Sequence, residues 1–259
     1  MIATLLAAGF EKPTTKDFVF DCYFSVGPIC VNFIIVLVAA ATLIYVALFF
    51  FAFRSPSVVP GRFQALMELA VDFVREQIAI PMLGPAADRF LPLLATFFFF
   101  ILFMNLFEVA PWVNFAPTSR LAIPLGLAVV SWVTYNAVGI AKHGFVGYLK
   151  FTCYIPAAPW WIQPLMIPIE FISNIVIRPI TLTIRLTANF VAGHFLLALA
   201  FLGTEFFLLD GPKTWVLLGV SVPMSIILAA FEVFVALLQA FIFTVLSASY
   251  IGGALAEEH

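Results

Sequence analysis

Apolar residues in this chain come in long unbroken runs separated by short polar breaks, not in the one-sided stripes of a soluble helix. Residues 31–53, 90–110 and 121–142 each supply the roughly 20 apolar positions that a bilayer core demands. Two later stretches, 164–209 and 214–252, are longer. At about 1.5 Å per residue each exceeds the hydrocarbon thickness, so it must tilt or fold back. Asp210-Gly211-Pro212 between them is a strong turn signal. The pattern predicts an all-α membrane protein with about five membrane helices, the last two forming a long tilted hairpin.

Residues 60–79 read differently. Gln64, Glu68, Asp72 and Arg75 recur at helical spacing, with Phe63, Leu66, Met67, Ala70 and Val74 on the other side. This predicts an amphipathic helix at the interface or against a partner, with Pro60 in its first turn. Pro156, Pro159, Trp160 and Trp161 suit an interfacial connection. Lys and Arg are commoner in 54–89 and 142–150 than in the loop holding Arg120, so those two segments are expected inside, with the N-terminus outside. The reading divides the chain into an external segment, 1–30, and one membrane domain, 31–259. The first ten residues have no basic leader and too short an apolar core for a signal peptide.

Composition sharpens the class. Hydrophobic residues make up 64% of the chain and charged ones 10%, too few charges to cover a soluble surface. The net charge of −2 and the scattered basic residues argue against nucleic acid. Cys22, Cys30 and Cys153 are not clustered, so no metal is expected. Whether Cys22 and Cys30 pair depends on the compartment they face. No glycine-rich phosphate loop is visible and no cofactor is expected.

An ionisable residue kept inside a bilayer is costly and is a functional candidate. Glu170, Arg178, Arg185, His194 and Glu232 are such residues. Asn174, Arg178, Thr181, Arg185 and Asn189 follow at helical steps and form one stripe, which serves either as glue between helices or as a site. If the chain reverses near residue 211, one register sets His194 beside Glu232 and Arg185 beside Gln239. His and Glu can exchange protons, whereas a guanidinium stays charged. That combination suits proton passage aided by a partner that carries the proton past the arginine.

The run Arg185-Leu-Thr-Ala-Asn189-Phe-Val-Ala-Gly193-His194 closely resembles the signature of subunit a of the F-type ATP synthase. Glu232 with Gln239-Ala-Phe-Ile-Phe-Thr-Val-Leu resembles its last helix, and Met104-Asn-Leu-Phe-Glu108 and Glu170-Phe-Ile-Ser extend the match. The resemblance implies that Arg185 meets carboxylates on a rotating ring of c subunits, with Asn189 and Gln239 beside it. His194 and Glu232 would line an outer half-channel with Glu108 near its mouth, while Glu170 and Thr181 suggest the inner one. It also implies a chain that is itself non-catalytic, with the c-ring, peripheral-stalk b subunits and other ATP synthase subunits as partners. The expected location is an energy-transducing membrane: the bacterial plasma membrane, or alternatively the mitochondrial inner membrane. Sodium in place of protons stays open. A secondary transporter would show internal repeats, and a haem subunit would show paired histidines; neither is visible here.

Overall fold

A computed structural model of the chain describes residues 24–26, 29–54, 57, 60–110, 117–153, 161–209 and 215–256. The Cys22–Cys30 question, the 210–212 turn and the acidic tail at 257–259 fall outside these residues. Five helical runs are long and apolar enough to cross a membrane: Phe33–Phe53, Arg62–Val109, Ala122–His143, Gln163–Leu208 and Trp215–Leu255. The all-α membrane class therefore holds. A short antiparallel ribbon, β1 (Phe24–Val26) with β2 (Ile29–Val31), is an addition that the apolar runs did not announce.

Helix α1 (Phe33–Phe53) begins where Asn32 caps it, its side chain accepting from the Ile35 N–H at 3.2 Å. The amphipathic helix α2 (Arg62–Val74) starts after Gly61, so Pro60 precedes the helix instead of occupying its first turn. It continues through a π turn at Arg75–Ala79 into α3 (Ile80–Leu83). Gly84, at a φ of 54°, then breaks the helix and admits α4 (Ala87–Val109). Arg75 Nε donates to Asp88 Oδ1 at 2.9 Å across this corner, and the ring of Phe73 lies 5.9 Å from that of Phe98, so the chain folds back on itself.

The remaining elements are α5 (Ala122–His143), α6 (Phe145–Cys153), α7 (Gln163–Ile172), a π turn (Ser173–Ile177), α8 (Arg178–Leu209) and α9 (Trp215–Leu255). Helix α9 packs against α4, α5 and α8 and organises the core. Leu94, Ile101, Leu186, Phe243 and Ile251 are fully buried there. Lipid tails are as apolar as these side chains, so polar links must help specify the helix contacts. Ser131 Oγ donates to Ser247 Oγ at 2.9 Å between α5 and α9, and Tyr135 Oη donates to the Asn174 carbonyl at 2.7 Å.

The two ends of the bundle are tied differently. At one end Lys142 Nζ donates to the Leu255 carbonyl, and Gly252 lies against the carbonyl of Met82. Those contacts join the end of the chain's last helix to the two segments which the charge asymmetry assigns to the inside. At the other end Asn32 and Arg120 border an apolar cavity, and Thr204 Oγ1 and Ser225 Oγ share a hydrogen bond of 3.1 Å. Along the α8–α9 pair Ser225 Oγ also donates to the Ala200 carbonyl at 3.3 Å, while Glu232 faces Gly193. Both pairs share one midpoint, near residue 212, as a single antiparallel register requires.

Candidate functional site

Three polar regions lie along the bundle. The first is a buried acidic cluster between α4, α8 and α9. Glu108 is 2% exposed and Glu232 4% exposed, and the two carboxyls are within electrostatic reach of each other. Glu232 rests on the bare backbone of Gly193; a Cβ built there would stand 2.6 Å from Glu232 Oε2. His194, the next residue, is half-buried. Asn105, one helical turn before Glu108, donates through Nδ2 to the Ala236 carbonyl at 3.5 Å and accepts from Thr118 Oγ1 at 3.0 Å. Among the described residues Glu108 Oε1 has no protein hydrogen-bond partner. A buried acceptor in that state requires water or a proton.

The second region is the open face of α8. Thr181, Arg185, Ala188 and Ala192 are exposed at helical spacing, flanked by exposed Ile180 and Ile184. Among the described residues Arg185 forms no ion pair. A permanent cation on an apolar face is expensive in lipid, which makes Arg185 a functional candidate. The alanines after Arg185 let another helix approach closely. Asn189 is half-buried, and its Nδ2 lacks a protein partner among the described residues. Gln239, 6% exposed, lies on the buried side of α9. Thr181 turns its hydroxyl back to the Ile177 and Arg178 carbonyls, at 2.9 and 3.0 Å.

The third region is a cavity of about 170 Å³ near the end tied by Lys142 and Gly252. Glu170, Asn174, Arg178, Tyr148, Thr152 and Tyr250 contribute to its wall; Thr181 does not. The π turn at Ser173–Ile177 explains the alignment. In a regular α-helix Glu170 and Arg178, eight apart, drift about 80° out of line. The wider π turn takes up that drift and returns both to one face. Asn174 Nδ2 donates to Glu170 Oε2 at 3.2 Å, and the Arg178 guanidinium lies 4.9 Å from the centre of the Tyr250 ring. Tyr148 donates to Asn136 Oδ1 at 3.1 Å; burial pushes its phenol up from the ordinary value, so it stays a neutral donor.

Arg185 and Glu232 were singled out from the residues themselves and Glu108 through the resemblance, but Tyr148, Thr152 and Tyr250 were missed. Tyr250 had a signal: it lies eleven residues past Gln239, close to three full turns, and so shares its face. Tyr148 had none, because the reversal at Gly144 that brings α6 back over α5 leaves no periodic trace.

Such an assembly, five long apolar helices with buried carboxyls between them and an exposed arginine on one face, defines a multi-pass membrane protein. A family model described as ATP synthase A chain matches residues 33–252. Proteins named ATP synthase subunit a from Nocardioides sp. and Rhodococcus erythropolis are 44% and 38% identical, the alignments covering 86% and 100% of this chain and 81% and 95% of theirs. One of that name from Frankia alni is 40% identical over 100% of this chain and 91% of its own. The chain belongs to the ATP synthase A chain family and is a component of that complex.

Proposed function

We propose that this chain is the proton-conducting stator of the ATP synthase membrane sector, sitting in a bacterial plasma membrane against a ring of c subunits and held by peripheral-stalk b subunits. The observation that carries the reading is the exposure of Arg185 on an apolar face, with a polar region toward each end of the bundle. Protons reach the buried cluster from outside, through Glu108, His194 and Glu232, and neutralise a ring carboxylate. The neutral carboxylic acid can then travel through lipid, which the ionised form cannot do cheaply. On returning to the α8 face it meets Arg185, whose fixed charge favours the carboxylate and so expels the proton. The proton leaves inward through the cavity that holds Glu170.

Asn189, Thr181 and Gln239 serve around Arg185: Asn189 offers a donor one turn away that is unused among the described residues, and Thr181 belongs to the surface the ring would sweep. ATP chemistry belongs to partner chains. The test is ATP-driven proton pumping in inverted vesicles. Arg185→Ala in an assembled complex should pump nothing, whereas pumping at the parental rate would end the stator reading.

A further inference from the structure

The inner cavity carries two opposite charges on one wall that do not pair. Among the described residues Glu170 and Arg178 supply the only formal charges of the lining, and neither forms an ion pair within 4.0 Å there. Each has another arrangement instead. Glu170 accepts from Asn174, and Arg178 rests on the Tyr250 ring. The Tyr250 contact holds the guanidinium without cancelling its charge, because a ring face attracts a cation without neutralising it. Space for several waters remains in a cavity of about 170 Å³.

We propose that Arg178 is a cation filter: a fixed positive charge in the inner cavity that turns away metal cations while Glu170 passes the proton. This rests on the reading of the cavity as the inner opening of the proton path. The physical distinction is in how charge moves. A metal cation must bring its whole charge, with water ligands, into the field of a guanidinium that never deprotonates. A proton is handed along hydrogen bonds: Glu170 carboxylate takes it from one water, becomes a neutral acid, and returns it to another. No oxidation and no other bond change is involved. The π turn that aligns Glu170 with Arg178 gives the filter its geometry, since the cation lies on the same wall as the acceptor it guards.

Gly253 makes the proposal testable. It lines the cavity, and a Cβ built there meets nothing within 4 Å, so Gly253→Cys adds a thiol without crowding. The experiment uses the whole complex in its membrane, with Cys22, Cys30 and Cys153 replaced by Ser. Labelling rates are measured with two methanethiosulfonates of similar size, one bearing a sulfonate and one a trimethylammonium, each normalised to a free thiol. The sulfonate should be favoured with Arg178 present. Arg178→Gln should lower that preference by about fivefold or more, the order expected for one unit charge near a wet cavity. Arg178→Lys should retain it, which guards against loss of fold. In pumping assays at constant ionic strength, replacing choline by potassium on the inner side should slow Arg178→Gln but not the parent. Labelling with a charge preference indifferent to Arg178 overturns the filter alone. No labelling by either reagent would mean that the cavity does not open inward, which overturns the inner path and the filter together.

Discussion

The carboxyl of Glu232 occupies the space that a side chain at position 193 would fill, so the absence of a Cβ at Gly193 is what lets α9 bring a buried acid to the α8 backbone. Gly193→Ala should therefore displace Glu232 even though alanine is the better helix former. Proton pumping is expected to fall by about tenfold, roughly 1.4 kcal/mol in the barrier, with assembly intact. Gly203 lies on the same helix with nothing within 4 Å of a built Cβ, so Gly203→Ala is the control and should pump normally. Equal rates in the two variants would remove Glu232 from the path.

Arg185 separates function from folding. It is exposed and makes no ion pair among the described residues, so Arg185→Ala should change stability of the isolated chain by no more than about 0.5 kcal/mol. Pumping should nevertheless vanish. Arg185→Lys should rescue poorly, because a desolvated ammonium can release its proton and a guanidinium does not. Thermal unfolding in detergent, run beside the pumping assay, distinguishes this from simple loss of structure.

The hairpin register is open to crosslinking. Thr204 and Ser225 share a hydrogen bond, so the pair Thr204→Cys/Ser225→Cys should form a disulfide under mild oxidation. Arg185→Cys/Glu232→Cys should not, since Glu232 stands opposite Gly193, about 12 Å further along α8 at helical rise. A reversed pattern would contradict the pairing of α8 with α9.

Much of this architecture is legible in the sequence because bilayer thickness fixes span length and lipid penalises stray charge. Both constraints act on single residues and short windows, so Arg185, Glu232 and the five runs stand out without any partner. Contacts made by backbone do not. Nothing about Gly252 in the sequence announces that Met82, 170 positions earlier, places its carbonyl against it. The π turn at Ser173–Ile177 is equally silent, since no glycine or proline stands within it and only the alignment of Glu170 with Arg178 reveals it. Pro60 misled for a different reason: the residue is suited to a first turn, but Gly61 takes the capping position and the helix starts at Arg62.

Gly252 and Gly253 offer a paired test of that hidden contact. A Cβ at Gly252 would collide with the Met82 backbone, which cannot rotate away like a side chain. Gly252→Ala should destabilise the chain by about 1–3 kcal/mol through overpacking. Gly253→Ala meets nothing and should be neutral or slightly stabilising, as helix-interior glycine costs about 0.5–1 kcal/mol relative to alanine. Melting temperatures in one detergent give the comparison, and equal melting points would mean that α3 does not seat on α9 there.

The final prediction concerns His194 and Glu232. Either side chain alone could be held for packing, but a path that hands protons between them needs both types and cares little which helix supplies which. His194→Gln and Glu232→Gln should each slow proton uptake from the outside. The exchange His194→Glu with Glu232→His should then pump better than His194→Glu or Glu232→His alone, because it restores an acid beside an imidazole. Gly193 matters to this outcome: the imidazole must fit where the carboxyl now rests on bare backbone, and only a glycine leaves that room. Adding Gly193→Ala to the exchange should therefore abolish the gain, a dependence that simple loss of packing would not produce. If the exchange pumps no better than its single components while Glu232→Gln pumps at the parental rate, the pair is not the outer relay. Glu108, buried nearby with an oxygen that has no hydrogen-bond partner among the described residues, would then be the residue to replace next.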